Sequence, residues 1–107
     1  MAEVFDSVIA TDIGSAEKVI LNLPDRKAIL LSCIFGNKTA YELPITVWIR
    51  RGTTNASIVK DWRVSSGQNS GDVLNGKMVL EAGDSLMARC PIDAAFDSIA
   101  SIMTGIG

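Results

Sequence analysis

The sequence contains no histidine among its 107 residues. This absence excludes Ser-His-Asp and Cys-His nucleophile systems, and it removes the commonest side-chain ligand of transition metals. Cysteine is also scarce, because Cys33 and Cys90 are the only two, and both fall in apolar strand patterns. We expect both thiols to be reduced and buried, since a free thiol packs as a small hydrophobe. A bridge between them stays open as an alternative, because it depends on a Cα spacing that sequence does not supply.

An excess of positive charge is missing as well. Ten basic and twelve acidic residues give a net charge of −2, and the basic residues are scattered apart from Arg26-Lys27 and Arg50-Arg51. Phosphate binding needs a concentrated basic surface, so we expect no nucleic-acid partner. No apolar run approaches the roughly 18 residues that span a bilayer, and the first residues do not resemble a secretory signal. We therefore expect no membrane partner and no export by that route.

Carboxylates remain as candidates for chemistry. Asp84, Asp93 and Asp97 lie near predicted strand ends, where a pair would suit glycoside hydrolysis and a cluster would suit calcium. Acidic residues at turns are explained equally well by side-chain hydrogen bonds to backbone amides, and the spacing matches no calcium loop. We favour turn stabilisation by Asp84 and Asp93 with a solvated Asp97. The sequence thus predicts no catalytic residue, no metal site and no cofactor.

What the sequence does contain is a succession of short strand patterns separated by turn signals. This spacing, with little support for helix, predicts an all-β fold: one domain over residues 1–107, an antiparallel β-sandwich of jelly-roll type with about eight short strands. The clearest stretch is 77–102, where apolar and small residues alternate around the turn at 81–84 and Pro91. The predicted strands are 5–11, 18–23, 27–37, 45–51, 57–64, 72–75, 77–80 with 85–90, and 96–103.

The strand patterns also predict which faces are buried. Residues 27–35 are apolar on both sets of alternate positions, which indicates a central strand covered on both faces. In the next strand Ile45, Val47 and Ile49 share a core face, so Trp48 lies on the outer, partly exposed face. The polar stretch 65–71 is predicted to be a loop. Hydrophobic residues make up 48% of the chain, a surplus that we expect to lie partly in an interface.

Self-association is the interaction that these patterns favour. We expect copies to pack by a sheet edge or an apolar face in a closed ring or trimer, with segments 1–14 and 103–107 reaching a neighbour. The interface candidates are Trp48, Arg50, Trp62, Phe5, Met103 and Ile106. The alternative is a carbohydrate-binding module, in which Trp48 and Trp62 form a sugar-stacking platform beside Arg50 and Asp61, if the two rings share a face.

The order of four sequence blocks resembles a group of small β-sandwich structural proteins of tailed bacteriophages. The blocks are LPDRKAILLSCIFGN at 23–37, ITVWIRR at 45–51, GKMVLEAGDSLMARC at 76–90 and AAFDSIASIM at 94–103. The resemblance covers most of the chain beyond residue 20, and the sequence departs from the pattern at Trp48 and Arg50-Arg51. It implies a virion component of the tail, neck, fibre or capsid decoration that assembles with other phage proteins and performs no chemistry.

Overall fold

The computed structural model describes residues 4–74 and 76–104, which form nine β-strands in two antiparallel sheets. The strands are β1 Val4–Ile13, β2 Lys18–Asn22, β3 Ala28–Asn37, β4 Leu43–Arg51, β5 Thr54–Val64, β6 Asn69–Asp72, β7 Met78–Leu80, β8 Ser85–Arg89 and β9 Phe96–Thr104. No helix within those two ranges is long and apolar enough to cross a membrane. The predicted all-β antiparallel sandwich is confirmed.

Each sheet contributes one face to a shared core. The five-stranded sheet runs β1-β9-β3, with β6 and β7 both pairing with the far side of β3, and the four-stranded sheet runs β2-β8-β4-β5. Alternate residues of the strands point inward, as the period of two requires. The largest fully buried apolar side chains are Phe35, Phe96, Ile13, Leu30, Ile45, Leu80 and Leu86. Cys33 and Cys90 are free and buried, which confirms that prediction.

The expected loop at 65–71 was partly wrong, because its second half belongs to β6. This strand begins at Asn69 and pairs with β3, where side chains supplement the backbone ladder. Ser70 Oγ accepts a hydrogen bond from the Phe35 amide at 3.0 Å, and Asp72 Oδ1 accepts one from the Cys33 amide at 3.0 Å. The strand predicted at 72–75 was therefore misplaced; its last residue, Asn75, lies outside the described residues.

The third strand was correctly predicted to be central, but the prediction that both of its faces are buried was wrong. β3 is central, with β9 on one side and β6 and β7 on the other. A register shift between Leu30 and Ser32 keeps Leu30 and Cys33 both on the core side. Within residues 4–74 and 76–104 no second layer covers the opposite face, and Ile34 there is 37% exposed. The apolar residues of β3 thus supply both the core and an exposed surface.

Candidate functional site

The outer face of the five-stranded sheet carries apolar side chains in rows that run across the strands. Residues directly opposite each other in neighbouring strands lie on the same face, so the register defines each row. The first row is Phe5, Met103, Ile29 and Val79, from β1 through β9 and β3 to β7. The parallel row, four residues further along β1, is Ile9, Ile99 and Ile34. We call the surface formed by these two rows and the residues between them the banded face.

A row of serines separates the two apolar rows. Ser7 of β1 lies opposite Ser101 of β9, which lies opposite Ser32 of β3. Four of the seven apolar side chains on either side are well exposed, with Phe5, Ile9, Val79 and Ile99 between 51% and 67% accessible, and the other three are less exposed. An exposed large apolar group is common singly, but a contiguous group is what marks an interaction site.

The size of the banded face can be estimated from strand geometry. Strands lie about 4.8 Å apart and residues rise about 3.3 Å, so four strands and two rows span about 14 by 13 Å between Cα atoms. Side chains extend this to about 400 Å², within the range in which the largest patch of a soluble monomer is often functional. The banded face is therefore the strongest candidate for a functional surface on the described residues.

Two of the six predicted interface residues belong to the banded face. Phe5 and Met103 are direct cross-strand partners in its first row. The sequence reasoning missed the other five apolar residues of the two rows: Ile9, Ile29, Ile34, Val79 and Ile99. Their signal was the recurrence of large apolar residues at the outward positions of four strands, and only the register between strands shows that they meet.

The other predicted interface residues lie elsewhere. Trp48 does lie on the outer side of β4, but it is only 8% exposed, so little of the ring is left for a partner. Arg50 donates two hydrogen bonds to the Glu17 carboxylate, at 2.9 and 3.1 Å, and one to Asn55. Trp62 lies on the edge strand β5 and is 41% exposed. Ile106 lies outside the described residues.

The sugar-stacking platform is not formed. Trp62 lies opposite the core residue Ile45, so its ring is on the inner side of the four-stranded sheet. Trp48 lies opposite Met87 on the outer side. The two indoles therefore belong to different faces, and the condition on which the carbohydrate alternative depended is not met.

The carboxylates that were weighed for catalysis are engaged in structural contacts. Asp84 is fully buried and accepts hydrogen bonds from Arg51 Nε at 2.7 Å and from a terminal Arg51 nitrogen at 2.8 Å. Its Oδ2 also accepts the Glu81 amide at 2.9 Å, so the predicted turn-stabilising role is correct for Asp84. The Arg51 hydrogen bonds lower the pKa of Asp84, against the upward effect of burial and with help from the Glu81 amide.

Asp93 and Asp97 differ from the prediction in detail. Asp93 Oδ1 accepts the side-chain and backbone hydrogen bonds of Ser15, at 2.6 and 3.0 Å, and these lower its pKa. Asp93 therefore connects the β8–β9 connection to the β1–β2 connection, and does not bond to backbone amides of its own turn. Asp97 is not simply solvated, because it accepts hydrogen bonds from Lys38 Nζ at 3.0 Å and from the Asp12 amide at 3.1 Å. Partial burial pushes the pKa of Asp97 upward, but these contacts outweigh it and the pKa is lowered.

The thiols offer no activated nucleophile. Burial, with a smaller contribution from the nearby Asp72 charge, raises the pKa of Cys33 to about 12. Burial likewise raises the pKa of Cys90. The thiolate is the reactive form, so both side chains stay unreactive near neutral pH. Over residues 4–74 and 76–104, no three Cys, Asp or Glu side chains gather in a way that could hold a metal ion.

Comparison with known proteins identifies similar folds but no family. No family model matches the chain, and no curated protein matches it. A solved structure of Bacillus endospore appendages, described as disulfide-linked pili, is similar with a TM-score of 0.60 at 14% identity, over 98% of this chain and 89% of that one. The nucleoplasmin-like N-terminal domain of Drosophila FKBP39 has a TM-score of 0.57 at 10% identity, over 98% and 92% of the two chains.

A viral protein has a similar fold. The VP2 subviral particle of infectious bursal disease virus has a TM-score of 0.56 at 9% identity, and the similarity covers 94% of this chain but only 32% of that one. At such low identities these similarities show the fold alone. They agree with the two-sheet, jelly-roll-like sandwich described above.

Proposed function

We propose that this chain is a non-enzymatic structural subunit that assembles with copies of itself and with other structural proteins in the virion of a tailed bacteriophage. The observation that carries the proposal is the banded face, an exposed apolar surface on an otherwise well-packed sandwich. Such a surface is unfavourable in an isolated soluble protein, because it leaves apolar area in water that a neighbour could cover.

The magnitude of this effect is sufficient for association. Covering about 400 Å² on each of two copies corresponds to about 20 kcal/mol at about 25 cal/mol per Å², and the two apolar rows supply about two thirds of it. The loss of translational and rotational freedom opposes association by about 4–15 kcal/mol. The two terms are of similar size, so the face supports an association that depends on concentration.

Two further observations support the virion setting. The four sequence blocks resemble small structural proteins of tailed phages. Two of them fall on β3 and β9, the central strands of the banded face, and the other two fall on β4 and on the β7–β8 region. Proteins of the same fold include one described as forming pili and one described as a subviral particle. Cys33 and Cys90 are the only cysteines of the chain and both are buried, so a disulfide linkage between copies is not part of the proposal. Contacts between copies are therefore proposed to be non-covalent.

A charge at the centre of the banded face tests the proposal. In the variant Ile99→Lys, an ammonium group replaces the isoleucine that lies between Ile9 and Ile34. We expect the solution mass to fall to the 11.4 kDa of the single chain at concentrations where the wild type is larger, because association would bury an unpaired charge. Light scattering measures the mass, and a thermal melt confirms that the variant is folded.

Val19→Lys is the matched control, since Val19 is exposed on the four-stranded sheet at 50%. It introduces the same charge away from the banded face and should leave the mass unchanged. A folded Ile99→Lys variant that associates as the wild type does would contradict the proposal.

A further inference from the structure

We infer that β1 pairs with β1 of a second copy, antiparallel and about a two-fold axis at Ser7, to join two five-stranded sheets into one. The inference deepens the proposed function and rests on its claim of self-assembly. It specifies one contact surface, one partner and one register.

The edge of β1 is long and regular. β1 is the last strand of the five-stranded sheet, so one side of its backbone has no partner within the described residues. Residues 4–10 pair with β9 without interruption, and the first register shift comes after Ala10, close to Asp12 with its φ of 57°. Those seven residues contain no proline and no glycine, and Asp6 is their one charge. Edges of this kind are templates for pairing with another strand.

The other long edge is protected. β5 has two register shifts against β4, and Asp61 adopts a φ of 52° at one of them. Lys60 and Arg63 add charge near the same irregularity. Bulges and charges are the devices by which sheet proteins block edge-to-edge pairing.

The remaining edges are short. β2 has five residues with a register shift between Val19 and Leu21, β6 has four residues and β7 has three. Among the strands of the described residues, β1 therefore offers the longest uninterrupted edge for pairing.

The sequence of β1 is self-complementary about Ser7. Antiparallel pairing centred there brings Phe5 of one copy opposite Ile9 of the other, and Ser7 opposite Ser7. Asp6 then lies opposite Val8, so no like charges face each other. Each apolar row of one copy would continue into the apolar row of the other, and the serine rows would join. Two banded faces become one continuous surface, which links this edge to the face proposed for assembly.

Space beside the edge is open. A groove of about 470 Å³ is lined by Asp6, Ser7 and Val8 of β1, by the end of β2 and the β2–β3 connection at residues 21–26, and by Ile102 and Thr104 of β9. The seven-residue edge is about 24 Å long, and the molecule is 21 Å deep in its shortest dimension, so contact along this edge buries at most about 500 Å² per copy. A standard stable interface buries about 800 Å² per partner. Edge pairing alone is thus expected to give a concentration-dependent dimer, which face contacts would reinforce.

Cysteine cross-linking tests the two-fold axis. Ser7→Cys would bring two thiols opposite each other across the axis, within the Cα separation of about 4.4–6.8 Å that a disulfide requires. The control Ser57→Cys places an exposed thiol on the protected edge strand β5. Under mild oxidation we expect a disulfide-linked dimer to form at least tenfold faster for Ser7→Cys, as measured by non-reducing electrophoresis. Equal rates for the two variants would overturn the inference.

Charge pairing separates the edge contact from the face contact. The double variant F5E/I9K sets opposite charges against each other twice in the inferred register, whereas F5K/I9K sets like charges against each other. Both variants disrupt the apolar rows equally, so association through the face alone would be lost in both. We expect F5E/I9K to self-associate at least tenfold more tightly than F5K/I9K by light scattering at low salt.

The two proposals fail in different ways. If the wild type associates and F5E/I9K and F5K/I9K self-associate equally weakly, the inferred edge contact is wrong and the proposal of structural assembly still holds. If the wild type stays monomeric and Ser7→Cys forms no cross-link, both the edge contact and the proposed self-assembly are wrong.

Discussion

Replacing Asp84 with alanine is expected to lower the free energy of unfolding by about 3 kcal/mol, because it removes a buried carboxylate that accepts two charge-assisted hydrogen bonds from the exposed Arg51 and one from the Glu81 amide. The carboxylate connects the turn after β7, in the five-stranded sheet, to Arg51 at the end of β4, in the other sheet. Leu23 adds to this junction by donating its amide to the Asp84 carbonyl at 3.0 Å. Urea unfolding measures the effect.

The control is Asp25→Ala, which removes an exposed carboxylate and should change stability by less than about 0.5 kcal/mol. The effect of Asp84→Ala should also depend on pH. The pKa of Asp84 is lower in the folded protein than its value of about 4 in the unfolded chain, so its contribution is present above pH 4 and is lost as pH falls through the folded pKa. The difference between variant and wild type should therefore shrink in strong acid. A difference that is constant with pH would contradict the ion-pair account.

Trp48→Ala is expected to destabilise the monomer by about 3 kcal/mol, the lower end of the range for large aromatic residues in cores. The ring lies on the outer side of a sheet, yet it is 8% exposed and faces Met87, which is also buried. Removing the indole ring therefore exposes Met87 to water and leaves a cavity beside it. Urea unfolding with fluorescence of the remaining Trp62 measures the loss.

Trp62→Ala is the matched control, since that ring is 41% exposed and should cost about 1 kcal/mol or less. The structure thus assigns Trp48 a role in the stability of the single chain. A Trp48→Ala variant that kept full stability and lost only its ability to associate would contradict this assignment and restore Trp48 as an interface residue.

Strands with a clear alternation of apolar and polar residues were predicted correctly from the sequence. The prediction failed for a strand that is held in the sheet partly by side-chain hydrogen bonds and has no such alternation. In β9 the inward residues Phe96, Ser98, Ala100 and Ile102 alternate with outward ones, as their periodicity indicated. β6 could not be found this way, because its residues are small and polar and its contact with β3 partly depends on Ser70 and Asp72 side chains. Hydrophobic periodicity carries no information about such hydrogen bonds.

The candidate site was predictable only in part, for a related reason. An outward apolar residue such as Phe5 is visible in one strand, but a row exists only once the register joins β1, β9 and β3. Those strands are distant in sequence, so no local pattern shows that Ile9, Ile99 and Ile34 meet. The burial of Trp48 was missed because one strand does not reveal what lies on its outer side.

The measurement that tests the central claim most directly is the solution mass of the wild-type protein by light scattering over a wide range of concentration. A structural subunit that associates through the banded face and the β1 edge should show a mass that rises from 11.4 kDa to that of a dimer or a larger defined oligomer. A mass of 11.4 kDa at every concentration would contradict self-assembly, and with it the claim that the exposed rows are a contact surface between copies.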